Sequence, residues 1–340
     1  MLFVWLKFFI CVLLVLFFGA KLSRYGDVIA EKTGLSGLWI GLLLLATFTS
    51  LPEIITGASA VTVVGNPDLA MGTIFGSNLF NLLIIALLDI MYRGGPLLSS
   101  AGIGHRLSGG LGILLIAFAG VSILLSSKVW GGAVGGVGFY GLALVLLYLW
   151  GTRAIFRSER RQQESHPQAE SRALSYENIS AKRAYVGFAI AAVAIVVSGT
   201  WLATIGDDLI TATGWGATFV GSIFLAATTS LPELVVSITA LRLGAVNMAI
   251  ADMLGSNMFN MGIGIASVDA FYRYDSIFSA ASTAHVFTAS IAVLMTLIVI
   301  AGLTLKPKKK TRIGMSWYSI ALIGVYIIGT YILFTRGVAT

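Results

Sequence analysis

A chain of 340 residues that is 57% hydrophobic and only 11% charged is an integral membrane protein, because soluble domains carry about 25% charged residues. A single cysteine, Cys11, excludes an intramolecular disulfide, and three histidines without a Cys/His cluster argue against a zinc or copper centre. The net charge of +7 invites an anionic partner, but the basic residues are spread for topology, and no nucleic-acid partner is expected.

Ten apolar spans follow in chain order, at residues 2–20, 34–63, 68–91, 107–127, 131–152, 184–204, 213–241, 245–271, 281–304 and 314–335. The first reads as a retained helix, not a signal peptide, since Lys7 sits inside the run and Lys21 and Arg24 follow it. Short turns such as Gly65-Asn66-Pro67-Asp68 separate neighbours. The one long hydrophilic stretch, 153–183, is rich in Arg, Glu, Gln and Ser and reads as a solvated linker. It divides the chain into two five-span halves, 1–152 and 184–340.

Placing 153–183 in the cytoplasm makes every odd-numbered loop cytoplasmic. All 22 Lys and Arg residues then lie on that face except Lys7, Lys128, Arg273 and Arg336, as the positive-inside rule requires. The protein would be a multi-pass protein of the cell membrane with both termini outside. The cluster Lys306 to Arg312 is a topological anchor first and a lipid-headgroup patch second. Asn178-Ile179-Ser180 matches a glycosylation sequon but falls on the cytoplasmic side.

One text occurs twice. Thr49-Ser50-Leu51-Pro52-Glu53 returns as Thr229-Ser230-Leu231-Pro232-Glu233, and Ser77, Asn78 and Asn81 return as Ser256, Asn257 and Asn260. The copies at 46–81 and 226–260 fall on spans two and three and spans seven and eight. Five crossings separate equivalent points, so the second copy traverses the bilayer in the opposite sense. The expected fold is therefore all-α, with ten transmembrane helices in two inverted-topology repeats that meet near the midplane.

Glu53 and Glu233 lie deep in their spans, where each costs roughly 2.5–3.5 kcal/mol or more unless paired or neutralised. Pro52 and Pro232 cannot donate to the helix ladder, which frees carbonyls near 48 and 228. A cation answers both demands. Ser77 with Asn81, and Ser256 with Asn260, stand one helical turn apart and line one face with a hydroxyl and an amide oxygen. Gly76 and Gly255 before them permit close helix approach. An all-oxygen set of two carboxylates, two amides and the hydroxyls of Thr49, Ser50, Ser77, Thr229, Ser230 and Ser256 selects hard cations. Two negative charges match one divalent ion or two monovalent ions, which is a physical basis for exchange.

These motifs resemble the two alpha-repeats of the calcium/cation antiporter superfamily, and within it the sodium/calcium exchangers. The resemblance runs from the first span to the last. It implies that Glu53 and Glu233 are the principal calcium ligands, joined by Thr49 and Thr229. It also implies sodium sites built from Ala46, Ser50, Glu53, Ser77, Asn81, Ala226, Thr229, Ser230, Glu233, Ser256 and Asn260. Helices broken near Pro52 and Pro232, and sliding of the first and sixth helices, come with it. So does a transporter without cofactors, whose partners are calcium, sodium and the lipid bilayer.

Two departures stand out. Some relatives carry Asp where this chain has Asn260, so no potassium requirement is expected. Asp252, whose counterpart in the first repeat is Thr73, lies on the face of Ser256 and Asn260, one turn toward the cytoplasm. It is either a cytoplasmic vestibule or third carboxylate, or else a solvated residue or partner of Arg242. Asp89 and Asp269 sit four residues before Arg93 and Arg273 and read as interfacial ion pairs.

The expected activity is sodium influx driving calcium efflux through a midplane site. Two alternatives stand beside it. Two carboxylates in a low-dielectric site can carry protons in place of sodium, giving a calcium/proton antiporter. A cation channel also uses broken helices and acidic pairs, although a closed midplane site favours alternating access. No catalytic motif points to an enzyme.

Overall fold

Ten helices carry nearly all of the described residues, which in this computed structural model are 1–32, 46–126, 133–134, 137–165, 179–274 and 276–338. They are α1 Leu2–Lys32, α2 Ala46–Val64, α3 Pro67–Met91, α4 His105–Ser126 and α5 Phe139–Ser165 in the first half. The second half has α6 Ala181–Thr213, then α7, a pair Ala217–Thr229 and Leu231–Arg242 bent by 43°. Next come α8, running through Val246–Phe259, Asn260–Gly264 and Ile265–Phe271, then α9 Ala284–Leu305 and α10 Trp317–Val338. Eight of these are long and apolar enough to cross a bilayer, and the bent α7 is a ninth. The tenth, α8, carries Ser256, Asn257 and Asn260 of the repeated motif and Asp252 besides, which makes it polar.

Several boundaries differ from expectation. Helices α1 and α6 run well past 20 and 204, because Lys, Arg, Asp and Thr residues leave the apolar layer without leaving the helix. The fifth span starts at Phe139 and not at 131. Before it, Ala133–Val134 pairs antiparallel with Val137–Gly138 in a glycine-rich stretch, where each glycine costs a helix about 1 kcal/mol. At its other end α5 continues to Ser165 through Arg-, Glu- and Gln-rich text, so the linker begins as helix. The expected first part of span two (34–45), most of the linker, Lys128, His166 and the sequon residue Asn178 lie outside the described residues.

The centre is built by α3 and α8, flanked by α2 and α7. Gly72 and Gly76 of α3 face the start of α7 so closely that a methyl on Gly76 would stand 2.3 Å from the Ser222 carbonyl oxygen. Small residues thus let backbones touch, as membrane helices require. The counterpart Gly255 is looser, 3.3 Å from Ala46 Cβ on the same measure. Helices α1 and α6 pack on one another at the edge. Each also packs on the other half's broken helix, α1 on α7 and α6 on α2. Their outer faces, Phe9, Leu13 and Phe17 on one and Ile190, Val193 and Val197 on the other, are exposed apolar surface for lipid.

Polar clusters at the helix ends hold the two faces and obey the repeat. At the start of α3, Asp68 accepts from the Ser282 N–H at 2.6 Å and lies 3.1 Å from His285 Nε2. At the start of α8, Asn247 accepts from the Gly102 N–H at 2.7 Å and lies 3.3 Å from His105 Nε2. Each cluster joins loops that an alternating ten-span topology puts on one side. Lys310 joins the 9–10 loop to the 3–4 loop through the carbonyls of Asp89 and Tyr92.

The expected ion pairs at Asp89 and Asp269 are corrected here. Asp89 is fully buried and accepts from the N–H groups of Leu97 and Ser316 and the hydroxyls of Ser316, Tyr318 and Ser319, at 2.6–2.9 Å. Asp269, equally buried, accepts from the N–H groups of Gly138 and Ile277 and from Ser276. A carboxylate tying the next short turn to its own helix end satisfies several buried donors at once, which outweighs a screened surface pair. Replacing Asp89 by Ala leaves those donors buried and unpaired. A loss of about 3 kcal/mol or more is expected, seen as a lower unfolding midpoint of the purified protein in detergent.

Candidate ion-binding site

Both broken helices break at the same place with the same geometry. Ser50 has φ −87° and ψ 6°, and Ser230 has the same values. The break falls two residues before each proline, and Pro52 and Pro232 are the second residues of the new helices. Neither proline has an N–H to return to the carbonyl four residues back, so the first helical segment ends and a second starts at a new angle. Glu53 and Glu233 are then first-turn residues, at the helix end whose dipole favours negative charge.

The side chains cross between the halves. Ser230 Oγ donates to Glu53 Oε1 at 2.9 Å, and Ser50 Oγ donates to Glu233 Oε1 at 3.3 Å. Thr49 Oγ1 lies 3.3 Å from Ser256 Oγ, and Thr229 Oγ1 lies 3.4 Å from Ser77 Oγ. Ser77 Oγ also reaches Glu53 Oε1 at 3.3 Å. Each hydroxyl of Thr49 and Thr229 additionally donates to the carbonyl of Ala46 or Ala226, both at 3.2 Å. Glu53 and Glu233 are near enough to repel one another electrostatically. Apart from Ala46, at 1% exposure, the twelve residues expected to hold ions, from Ala46 to Asn260, have no exposure at all. The hydrogen bonds bring Thr49, Ser50, Glu53, Ser77, Thr229, Ser230, Glu233 and Ser256 together, whereas Asn81 bonds to Asn257.

What is left unbonded defines the site's chemistry. Among the described residues, Glu53 Oε2, Glu233 Oε2, Asn81 Oδ1 and both polar atoms of the Asn260 amide are buried without a hydrogen-bond partner in the protein. Buried polar atoms are almost always paired, and orphaned carboxylate and amide oxygens call for a positive ligand. No group of three or more His, Cys, Asp and Glu side chains that could hold a metal occurs among the described residues. Hydroxyl, amide and carbonyl oxygens must therefore complete any coordination shell around the two carboxylates. Oxygen-only donors suit calcium and sodium and disfavour softer metals.

Asn78 and Asn257 belong to the repeated text, yet no role was expected for them. Asn81 Nδ2 donates to Asn257 Oδ1 at 3.0 Å, and Asn257 Nδ2 donates to the Asn78 carbonyl at 3.2 Å. Asn257 thereby staples α8 to α3 beside the carboxylates. Their recurrence was the available signal. Asn260 opens a π-turn, Asn260–Gly264, and another π-turn, Gly221–Leu225, leads into Ala226. Such turns displace backbone carbonyls from the regular ladder and cluster at functional sites. Asp252 is fully buried and accepts from Ser237 at 3.1 Å, so it is neither the solvated residue nor the Arg242 partner that was one of its two expected readings.

The sodium/calcium exchanger protein family matches residues 3–155 and 183–335, one match per half. The chain belongs to this family. Its members are transporters and not enzymes, and the ions they carry are substrates, not cofactors. Inner membrane protein YrbG of Escherichia coli (strain K12) is 27% identical over 252 residues, 74% of each chain. A crystal structure of the H+/Ca2+ exchanger CAX shares the fold with a TM-score of 0.72 at 15% identity, covering 99% of this chain and 86% of that one. The sodium-calcium exchanger NCX_Mj shares it with a TM-score of 0.60 at 20% identity, covering 97% and 99%.

The crossed hydroxyls can be tested singly. Ser230→Ala removes the hydrogen bond to Glu53, and hydrogen bonds to charged groups are worth about 1.5–3 kcal/mol. Calcium should then raise the unfolding midpoint of the variant only at concentrations roughly tenfold or more above those needed by the parent protein. Ser50→Ala should behave alike, since it removes the equivalent bond to Glu233.

Proposed function

We propose that the protein is a secondary-active antiporter in which sodium entry drives calcium out of the cell. The observation that carries this reading is the crossed pair of buried glutamates, each leaving one carboxylate oxygen without a partner among the described residues. One calcium ion neutralises both. Two sodium ions do the same. Either load makes the site electrically acceptable to hydrocarbon, whereas the empty site holds two like charges in a medium where repulsion is strong. Only loaded forms then move readily, and movement of one cargo requires return of the other.

In this reading Glu53, Glu233, Thr49 and Thr229 hold calcium. Sodium takes Ala46, Ser50, Glu53, Ser77 and Asn81 with Ala226, Thr229, Ser230, Glu233, Ser256 and Asn260. Helices α1 and α6 move as the gating pair. Their glycines support that role: Gly19 packs on Pro232, and Gly199 packs on Ile55 and Thr56, so smooth helix surfaces cross the two break points. Full burial of both glutamates supports a carrier over a channel, because a conducting pore needs a continuous path. The face bearing the 3–4, 7–8 and 9–10 loops is assigned to the cytoplasm by its excess of Lys and Arg.

Proton coupling is the second reading, and two observations favour it. Asp252 is a third buried carboxylate, in electrostatic contact with Glu233. The fold also matches a proton-coupled exchanger as fully as a sodium-coupled one. The hydroxyl- and amide-rich donor set supports sodium.

Calcium uptake by proteoliposomes, with sodium, potassium and pH gradients imposed one at a time, separates the two. An outwardly directed sodium gradient at equal pH should drive uptake, and an outwardly directed proton gradient alone should not. Glu53→Gln and Glu233→Gln should each abolish that uptake while the protein still elutes as a folded species in detergent. Sodium-driven flux retained in both variants would overturn the assignment of the site.

A further inference from the structure

The second half carries a polar step that the first half lacks. Ser237 lies one turn beyond Glu233 on α7, and Asp252 lies one turn before Ser256 on α8. Both therefore extend the site's lining toward the α7–α8 turn. Ser237 Oγ donates to Asp252 Oδ2 at 3.1 Å and stands 3.5 Å from the Ala249 carbonyl oxygen. Asp252 Oδ1 is buried and, among the described residues, has no hydrogen-bond partner. Asp252 and Glu233 are both fully buried carboxylates, and Asp252 adds to the negative field at Glu233.

The equivalent positions in the first repeat are closed. Thr73, which stands where α8 has Asp252, donates its hydroxyl to the Leu69 carbonyl at 2.8 Å. Gly57 stands where α7 has Ser237, and a methyl there would lie 2.9 Å from Val268. One end of the pseudo-symmetric site thus opens onto a carboxylate and the other onto apolar side chains.

We propose that Asp252, with Ser237, forms a second cation station through which ions pass between the α7–α8 face and Glu233. Its donors are a carboxylate with one unpartnered oxygen, a hydroxyl and the Ala249 carbonyl, all hard oxygens suited to the same cations as the central site. A cation at Asp252 relieves the repulsion between Asp252 and Glu233, and that relief is handed on when the ion steps inward. The inference rests on the antiporter reading and deepens it.

The test uses membrane vesicles of both orientations, with calcium varied at one face at a time. Asp252→Asn should raise the half-saturating calcium concentration roughly tenfold at the α7–α8 face and leave the opposite face within about twofold. Asp252→Glu should recover most of the loss. Ser237→Ala should shift the same face in the same direction, which guards against a folding defect peculiar to Asp252→Asn. An unchanged value at the α7–α8 face, or equal change at both faces, overturns the station and leaves the exchanger intact. Parent vesicles without countertransport would remove both.

Discussion

Two carboxylates held together inside a membrane protein, each with an oxygen that none of the described residues satisfies, set the terms for the rest of the molecule. Their placement is expensive in hydrocarbon, and among the described residues no Lys or Arg pairs with either of them. The chain instead arranges hydroxyls from the opposite half around each glutamate. Ser230 serves Glu53, Ser50 serves Glu233, and Thr49 and Thr229 reach Ser256 and Ser77 across the same axis. Those hydroxyls can turn from donor to acceptor as a cation arrives. The network is therefore a holding arrangement for the carboxylates and, with hydroxyl rotation, a coordination shell.

Such a site needs a frame that does not yield when its charge changes. The buried carboxylates of Asp89 and Asp269 supply part of it by gathering backbone and hydroxyl donors at opposite ends of α3 and α8. The pairs Asp68–His285 and Asn247–His105 tie the other ends of the same helices to α9 and α4. Helix α6 meets α2 through a single pair of hydroxyls, Thr200 and Ser59, 2.9 Å apart. The clasp between Lys7 and Asp208 and the Cys11 thiol donating to the Ser198 carbonyl link α1 and α6 to one another. A rigid core with a separately bonded outer pair is the division of labour that alternating access demands.

Much of this was legible in the sequence because a repeated motif states its own symmetry. Thr49-Ser50-Leu51-Pro52-Glu53 and its copy located the broken helices, and five spans between copies gave the inversion. What stayed hidden depended on contacts between segments distant in the chain. Asp89 has Arg93 at a helical spacing, but its donors come from 97 and from 316–319, and no periodicity reports a partner more than 200 residues away. Asn257 recurs as plainly as Asn260, yet its role as a staple to Asn81 and Asn78 appears only once α3 and α8 are docked. Hydropathy likewise ended α1 at 20, since it marks the edge of the apolar layer and not the end of the helix.

The departures from symmetry carry as much meaning as the symmetry. An inverted repeat makes its two orientations similar in energy by construction, because exchanging the halves maps the molecule onto itself. A pump-like bias must then come from positions where the halves differ. They differ at Ser237 against Gly57 and at Asp252 against Thr73, and both differences lie one turn from the central site on its α7–α8 side. Around Glu53 and Glu233 themselves the two halves agree in residue, break geometry and crossed hydrogen bond. The ion thus meets an even-handed centre by an uneven approach, and the sidedness of transport resides in the approach.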